Sequence, residues 1–243
     1  GEAERIMPGY ILHLTAAEIF LRSLEKRSGK SAWTEQEKAD FRAGNLVPDT
    51  VKEKSRSHFR SRETDGDIVQ YPILPEFLKK YGRLLGDKSC LGYYFHLYID
   101  YRFFSEFLED IVRFYDAEGH EEKKKERICT AKIIKSNLCV TPREFFSESY
   151  YYGDYTKMNT WLANRYSLSF EFTRIPENPG IEEVDYSDIR RICAELKTYM
   201  QVPEEQAENL RVFDLKKLTE FMERAADCEE FKRYLPGISE NDS

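Results

Sequence analysis

Five side chains in the first hundred residues have the types and spacing to hold a metal ion: His13, Asp49, His58, His96 and Asp100. Neutral imidazole and carboxylate are the ligands that catalytic zinc sites take. His96 and Asp100 are four apart in an apolar run that reads as helix, and residues at that spacing share one helix face. Asp100 stands among Tyr94, Phe95, Tyr98, Ile99, Phe103 and Phe104, where a carboxylate is expensive to bury without a cation or hydrogen bonds. Taken singly, each residue has a plainer reading. A lone histidine on an apolar helix is commonly a satisfied core residue, and Asp49 after Pro48 suits an Asx turn. Lys52, Lys54, Arg56, Arg60 and Arg62 surround His58, with only Glu53 and Glu63 opposing them. Lys54, Arg56 and Arg60 are therefore candidate substrate-binding cations; the plain alternative is a solvated charged loop.

Helices have to position these groups. Tyr10, Ile11, Leu14, Ala17, Phe20, Leu21 and Leu24 follow helical spacing, with Pro8 suited to the first turn and Gly29 closing the helix. Thr34 and Glu37 form a capping box for a second helix ending near Asn45, before Pro48. Residues 49–71 are polar and weakly periodic and read as a long loop, a feature uncommon without a function. Pro75 opens a short helix to about Leu85, and Lys88 to Ala117 reads as one long central apolar helix. Residues 118–127 read as an exposed connection. Thr141, Pro142 and Glu144 mark another helix start, Asp154 to Tyr166 a further helix, Phe170 to Ile175 a short strand, and 187–201 and 213–234 two amphipathic helices. The expected fold is all-α: a single helical domain over 1–243, with a metal-site half at about 7–117, a helical half at about 128–235 and at most a few short strands in the C-terminal half.

The chain has 243 residues, 41% hydrophobic and 14% aromatic, enough for a substantial core with much ring packing. Its net charge of −7 argues against a general nucleic-acid binder. No stretch reaches the ~18 apolar residues of a membrane span, and the N-terminal residues lack a signal-peptide pattern. Cys90, Cys129, Cys139, Cys193 and Cys228 are odd in number with no C-x-x-C pair, which suggests a reduced, cytoplasmic chain. No cysteine has a histidine nearby in sequence to support a thiol nucleophile. Tyr150, Tyr151, Tyr152, Tyr155 and Trp161 suit core packing more than a ligand cleft, and His120 reads as exposed and idle. Oligomeric state is left open.

The segments MPGYILHL, FRAGNLVPD, SHF and LGYYFHLYID, in that order, resemble the zinc-dependent phospholipase C family, whose all-helical fold the S1/P1 nucleases share. The resemblance covers roughly residues 7–110. That family runs a histidine in the first helix, an aspartate, a histidine, then H-x-x-x-D in a core helix; the matching positions here are His13, Asp49, His58, His96 and Asp100. The chain departs in two places. No Trp amino group stands in for the N-terminal ligand of secreted members, and no H-x-x-x-E follows, the one later histidine being His120 in GHEEKKKE. The resemblance implies one or two ions rather than three, zinc first with iron or manganese as alternatives, and Asp100 as a bridge. It also implies a metal-dependent phosphoric ester hydrolase that uses metal-activated water on a small anionic phosphoester, with Asp49 both ligand and catalytic orienting group. A helical phosphohydrolase of the HD type is the weaker match, since no HD dipeptide occurs. A non-catalytic member with a structural ion is the alternative.

Overall fold

The structure is a computed structural model, and it describes residues 9–29 and 33–237. Pro8 therefore lies outside the described residues. Helix α1 (Gly9–Ser28) is followed by Gly29 at φ +69°, the left-handed conformation that glycine adopts without penalty. Thr34 caps α2 (Glu35–Leu46): its hydroxyl accepts from Glu37 N–H while the Glu37 carboxylate accepts from Thr34 N–H. A 3-10 turn, Val47–Asp49, extends α2 past Pro48. The polar stretch that follows is not all loop, because it contains the single-turn α3 (Lys54–Ser57). Helix α4 (Leu74–Tyr81) begins with Pro75 in its first turn, and α5 (Lys88–Arg102) is capped by the Asp87 carboxylate.

The expected long central helix is corrected here. Helix α5 ends at Arg102, fifteen residues from its start and shorter than α1. A wide π turn over Phe103–Phe107 and a 3-10 turn over Leu108–Asp110 unwind it, and the chain enters strand β1 (Val112–Tyr115). Val112 and Phe114 are buried while Arg113 is exposed, a period of two that the apolar background masked. β1 pairs antiparallel with β2 (Thr130–Ile133), and β2 with β3 (Cys139–Val140), in the order β1-β2-β3. Strands β2 and β3 lie in the C-terminal half, as expected, while β1 comes from the N-terminal half. The strand expected at Phe170 to Ile175 is absent: no described segment pairs with it. Helices α6 (Pro142–Phe145), α7 (Tyr151–Arg165), α8 (Asp188–Tyr199), α9 (Leu215–Ala225) and α10 (Cys228–Lys232) complete a mostly helical chain. No helix among the described residues is long and apolar enough to cross a membrane.

One contiguous cluster of buried apolar side chains runs from Tyr10 to Phe231. At its centre α2 and α5 touch backbone to backbone. A Cβ on Gly44 would stand 2.0 Å from the Ser89 carbonyl oxygen, and one on Gly92 2.2 Å from that of Phe41. Only glycine permits this approach, and it brings the C-terminal turn of α2 against the face of α5 that carries His96. From the other half, α7, α9 and α10 pack on α1. The buried Asp154 carboxylate on α7 accepts three backbone N–H groups, from Arg211 (2.9 Å), Val212 (2.7 Å) and Phe213 (2.9 Å), and so fixes the strap leading into α9. We expect Asp154→Ala to orphan those donors and cost about 2–4 kcal/mol of stability, read from the urea midpoint.

Candidate metal centre

All five sequence candidates meet at the junction of α1, α2 and α5. His96, fully buried on α5, directs Nδ1 at the Asn45 carbonyl oxygen, 2.7 Å away at the end of α2. His58, at the end of α3, directs Nδ1 at the Lys54 carbonyl oxygen (2.9 Å) and the Ser57 hydroxyl (2.9 Å). The Ser57 hydroxyl donates to the Pro48 carbonyl at 2.8 Å, so its oxygen is free to accept. A carbonyl only accepts, which places a proton on Nδ1 of both rings and leaves both Nε2 lone pairs facing the site. Metal-ligating histidines are held this way, with the second nitrogen donating to a backbone carbonyl.

The two Nε2 atoms are 3.1 Å apart. Two lone pairs at that distance repel unless a positive charge lies between them, either a proton or a cation. Asp100 Oδ2 is 3.4 Å from His58 Nε2 and 3.5 Å from His96 Nε2. The three atoms thus form a nearly equilateral triangle. Ligands about 2.0–2.1 Å from one ion at tetrahedral angles lie roughly 3.3 Å from one another, so the triangle has the size of one face of a zinc coordination shell. Asp49 Oδ1, 3.0 Å from His58 Nε2, stands beside it as a further donor.

His13 on α1 contributes differently. Its ring stacks on His96 with centroids 3.4 Å apart, and its Nε2 lies 2.8 Å from the other Asp100 oxygen, Oδ1. His13 therefore orients Asp100, while its own buried Nδ1 has no hydrogen-bond partner. His13, Asp49 and His96 make a second, overlapping group of ligand atoms within 4.8 Å of one another. Both groups use His96, so the first ion to bind takes the nitrogen that a second would need. Asp49 ends the 3-10 turn after α2, and Tyr10 on α1 donates its hydroxyl to the Asp49 carbonyl at 2.7 Å.

The electrostatics follow from two carboxylates in one buried pocket. Burial raises the Asp49 pKa, but His96, His58 and Lys54 outweigh it and hold the carboxyl well below the usual range. Burial likewise opposes ionisation of Asp100, and His13 and His96 overcome it. Burial, reinforced by His96, pushes the His13 pKa down. For His96 burial acts in the same downward sense, yet Asp49 and Asp100 prevail and its pKa is raised. The protein without metal thus keeps both carboxylates charged and offers a proton to His96, the charge that an ion would replace.

Lys54, Arg56 and Arg60 line a groove of about 1700 Å³ that Asp49, alone among the five, also lines. Lys125 from the β1–β2 connection, Arg143 from α6 and Arg191 from α8 join them there. Tyr151 and Tyr152 serve as both core and groove wall: Tyr151 is buried with its hydroxyl 2.7 Å from that of Tyr155, and both Tyr151 and Tyr152 line the groove. His120 is exposed and far in sequence from the cluster, its ring facing Asp116 at 3.7 Å. All five cysteines are free, Cys129 and Cys139 exposed and the others buried.

Sequence reasoning missed the groups that hold the ligands: Asn45, Ser57, Tyr10 and Tyr93, whose hydroxyl donates to the Ser57 carbonyl at 2.5 Å. It also missed Lys125 and Arg143. Four of these six act on the site through backbone carbonyls or support one, and a carbonyl leaves no residue-type signal. No protein-family model, curated protein or solved structure matches the chain.

Proposed function

We propose that the chain is a metal-dependent phosphoester hydrolase of phospholipase C-like type, holding zinc at His58, His96 and Asp100, with Asp49 completing the shell and His13 orienting Asp100. The observation that carries this reading is the triangle of 3.1, 3.4 and 3.5 Å formed by two Nε2 atoms, each bared by a carbonyl on its other nitrogen, and one carboxylate oxygen. An ion held there would supply Lewis-acid activation of water and positive charge for the phosphoryl oxygens.

The chain's own groups do the rest. Asp49 reaches the groove, and a carboxylate held so far below its usual range is a poor base, so it orients the attacking water by accepting a hydrogen bond. Lys54, Arg56 and Arg60 place fixed positive charge along the same wall, where negative charge develops on the phosphoryl group.

A second reading, a structural ion without turnover, is favoured by the burial of His13, His58 and His96 away from the groove. One experiment separates the two. Protein purified without added metal is expected to contain about one equivalent of zinc, iron or manganese, since both ligand groups share His96. It should hydrolyse bis(p-nitrophenyl) phosphate, lose that activity to a chelator and regain it with zinc. Metal bound without turnover of any phosphoester in a broad panel leaves the structural reading standing. Absence of metal, with no uptake on titration, sinks both.

A further inference from the structure

Among the described residues, Lys52, Lys54, Arg56, Arg60, Lys125 and Arg143 have no carboxylate partner, and all six line the same groove. Elsewhere some cations are paired and others stand singly in solvent, but the described cations of the groove are gathered in one concavity. Arg42 meets Glu18 at 3.1 Å, and Arg102 meets Glu106 at 2.6 Å and Glu230 at 3.0 Å. At the rim Lys124 is paired with Asp67 at 2.6 Å, while its neighbour Lys125 lines the groove without a carboxylate partner. The lining counts seven Lys and Arg against five Asp and Glu in a chain of net charge −7, so the remaining surface is more acidic than the whole. Unpaired like charges gathered in one concavity repel each other, and a bound anion relieves that repulsion.

The cations come from separate segments that the fold ties together. Ile68 N–H donates to the Lys123 carbonyl at 2.9 Å and Lys125 N–H to the Gly66 carbonyl at 2.8 Å. The β1–β2 connection is thereby fastened to the loop that carries His58. Arg60 has a buried Nε with no hydrogen-bond partner, a donor whose guanidinium fork suits two phosphate oxygens at once. The groove, at about 1700 Å³, exceeds the roughly 300–1,000 Å³ of an ordinary small-molecule pocket. One scissile phosphate beside Asp49 needs only the cations nearest it, and Lys54 already acts on Asp49.

We propose that this groove contains a second anion subsite, formed by Arg60, Lys125 and Arg143, so that its ligand is a compact, multiply phosphorylated ester. The name substrate for that ligand rests on the hydrolase reading; the subsite itself rests on the unpaired cations. A compact polyanion fits better than a polymer, because the acidic surface beyond the groove repels a long anionic chain.

Titration calorimetry on chelator-treated, metal-free protein tests this without turnover and without metal capture by the ligand. Tripolyphosphate is expected to bind at least about tenfold more tightly than inorganic phosphate, with an affinity that falls as salt rises. The double variant Lys125→Gln with Arg143→Gln is expected to lose about tenfold in tripolyphosphate affinity while inorganic phosphate binding, zinc content and thermal midpoint stay unchanged. Both side chains are exposed, so the variant should fold; Arg60→Gln, at a residue that also faces the scissile phosphate in the hydrolase reading, is expected to weaken binding of both anions. Equal affinity of the wild-type protein for the two anions, or indifference of both variants, overturns the subsite. A single-stranded oligothymidylate binding more tightly than tripolyphosphate overturns the compact ligand. Hydrolysis of bis(p-nitrophenyl) phosphate without tripolyphosphate binding keeps the hydrolase reading and removes the subsite; tripolyphosphate binding without hydrolysis does the reverse.

Discussion

Asp100→Asn is expected to strip the site of its ion and abolish phosphodiester turnover while leaving the chain folded. The Asp100 carboxylate is the one group in contact with all three histidines, Oδ1 at 2.8 Å from His13 and Oδ2 at 3.4 and 3.5 Å from His58 and His96. Loss of an outer-shell partner costs about 10–100-fold in metal affinity, and Asp100 stands inside that shell, so the loss should exceed about 100-fold. Turnover should fall with metal content. Asparagine preserves the shape and a hydrogen-bond acceptor for His13, which is why folding should survive. Zinc content in the variant equal to that of the parent protein would remove Asp100 from the coordination shell.

The metal-free protein gives the same substitution a second signature. Asp49 and Asp100 have folded pKa values depressed below 3.8, so their contribution is present above that pH and is lost as the pH falls further. His96 has a folded value raised above 6.5, so its contribution is present below that pH and is lost as the pH climbs past it. Metal-free protein should therefore lose stability below about pH 4 and again as His96 gives up its proton, the second limb being partly offset by His13, whose lowered folded value acts in the opposite sense. Asp100→Asn should flatten both limbs, since it removes one depressed acid and one of the two anions that raise His96. Urea midpoints across pH 3–9 check this directly. A metal-free profile that is level across that range would contradict the charge arrangement.

That the five candidate side chains would converge was legible because such groupings are written in residue types. His96 and Asp100 at helical spacing in an apolar run had to share a face, and a carboxylate among so many rings needed a positive partner, which His13 and His96 supply. Thr34 with Glu37, and Thr141 with Glu144, announced their helices through local side-chain to backbone bonds that need no tertiary context. The end of α5 was not legible. Phe103, Phe104, Phe107, Leu108 and Ile111 continue an apolar pattern compatible with helix, and only the pairing of Val112 with Ile133 turns the chain into a strand. Nor were Lys125 and Arg143. Lys125 reaches the groove through contacts between the β1–β2 connection and residues 66–68, more than fifty positions away in sequence, and Arg143 reaches it from α6.

Gly44→Ala is expected to destabilise the protein by about 3 kcal/mol, at the upper end of what overpacking costs, and to weaken metal binding by about 10–100-fold. Helix propensity alone argues the opposite sign, since alanine gains about 1 kcal/mol over glycine in a helix interior. Geometry decides. The added Cβ would lie 2.0 Å from the Ser89 carbonyl oxygen and 2.8 Å from its carbon, both backbone atoms with no rotamer to yield, so α2 and α5 must move apart. The next residue is Asn45, whose carbonyl accepts from His96 Nδ1 at 2.7 Å; separating the helices lengthens that bond and loosens the Nε2 that it aims. Gly82→Ala serves as the contrast: Gly82 has φ −56°, and its nearest neighbour to a new Cβ is 3.9 Å away, so that substitution should be neutral or slightly stabilising. Urea midpoints and zinc titrations on both variants separate the two forces. If Gly44→Ala matched the parent in stability, the backbone contact between α2 and α5 would be wrong, and with it the account of how His96 is held.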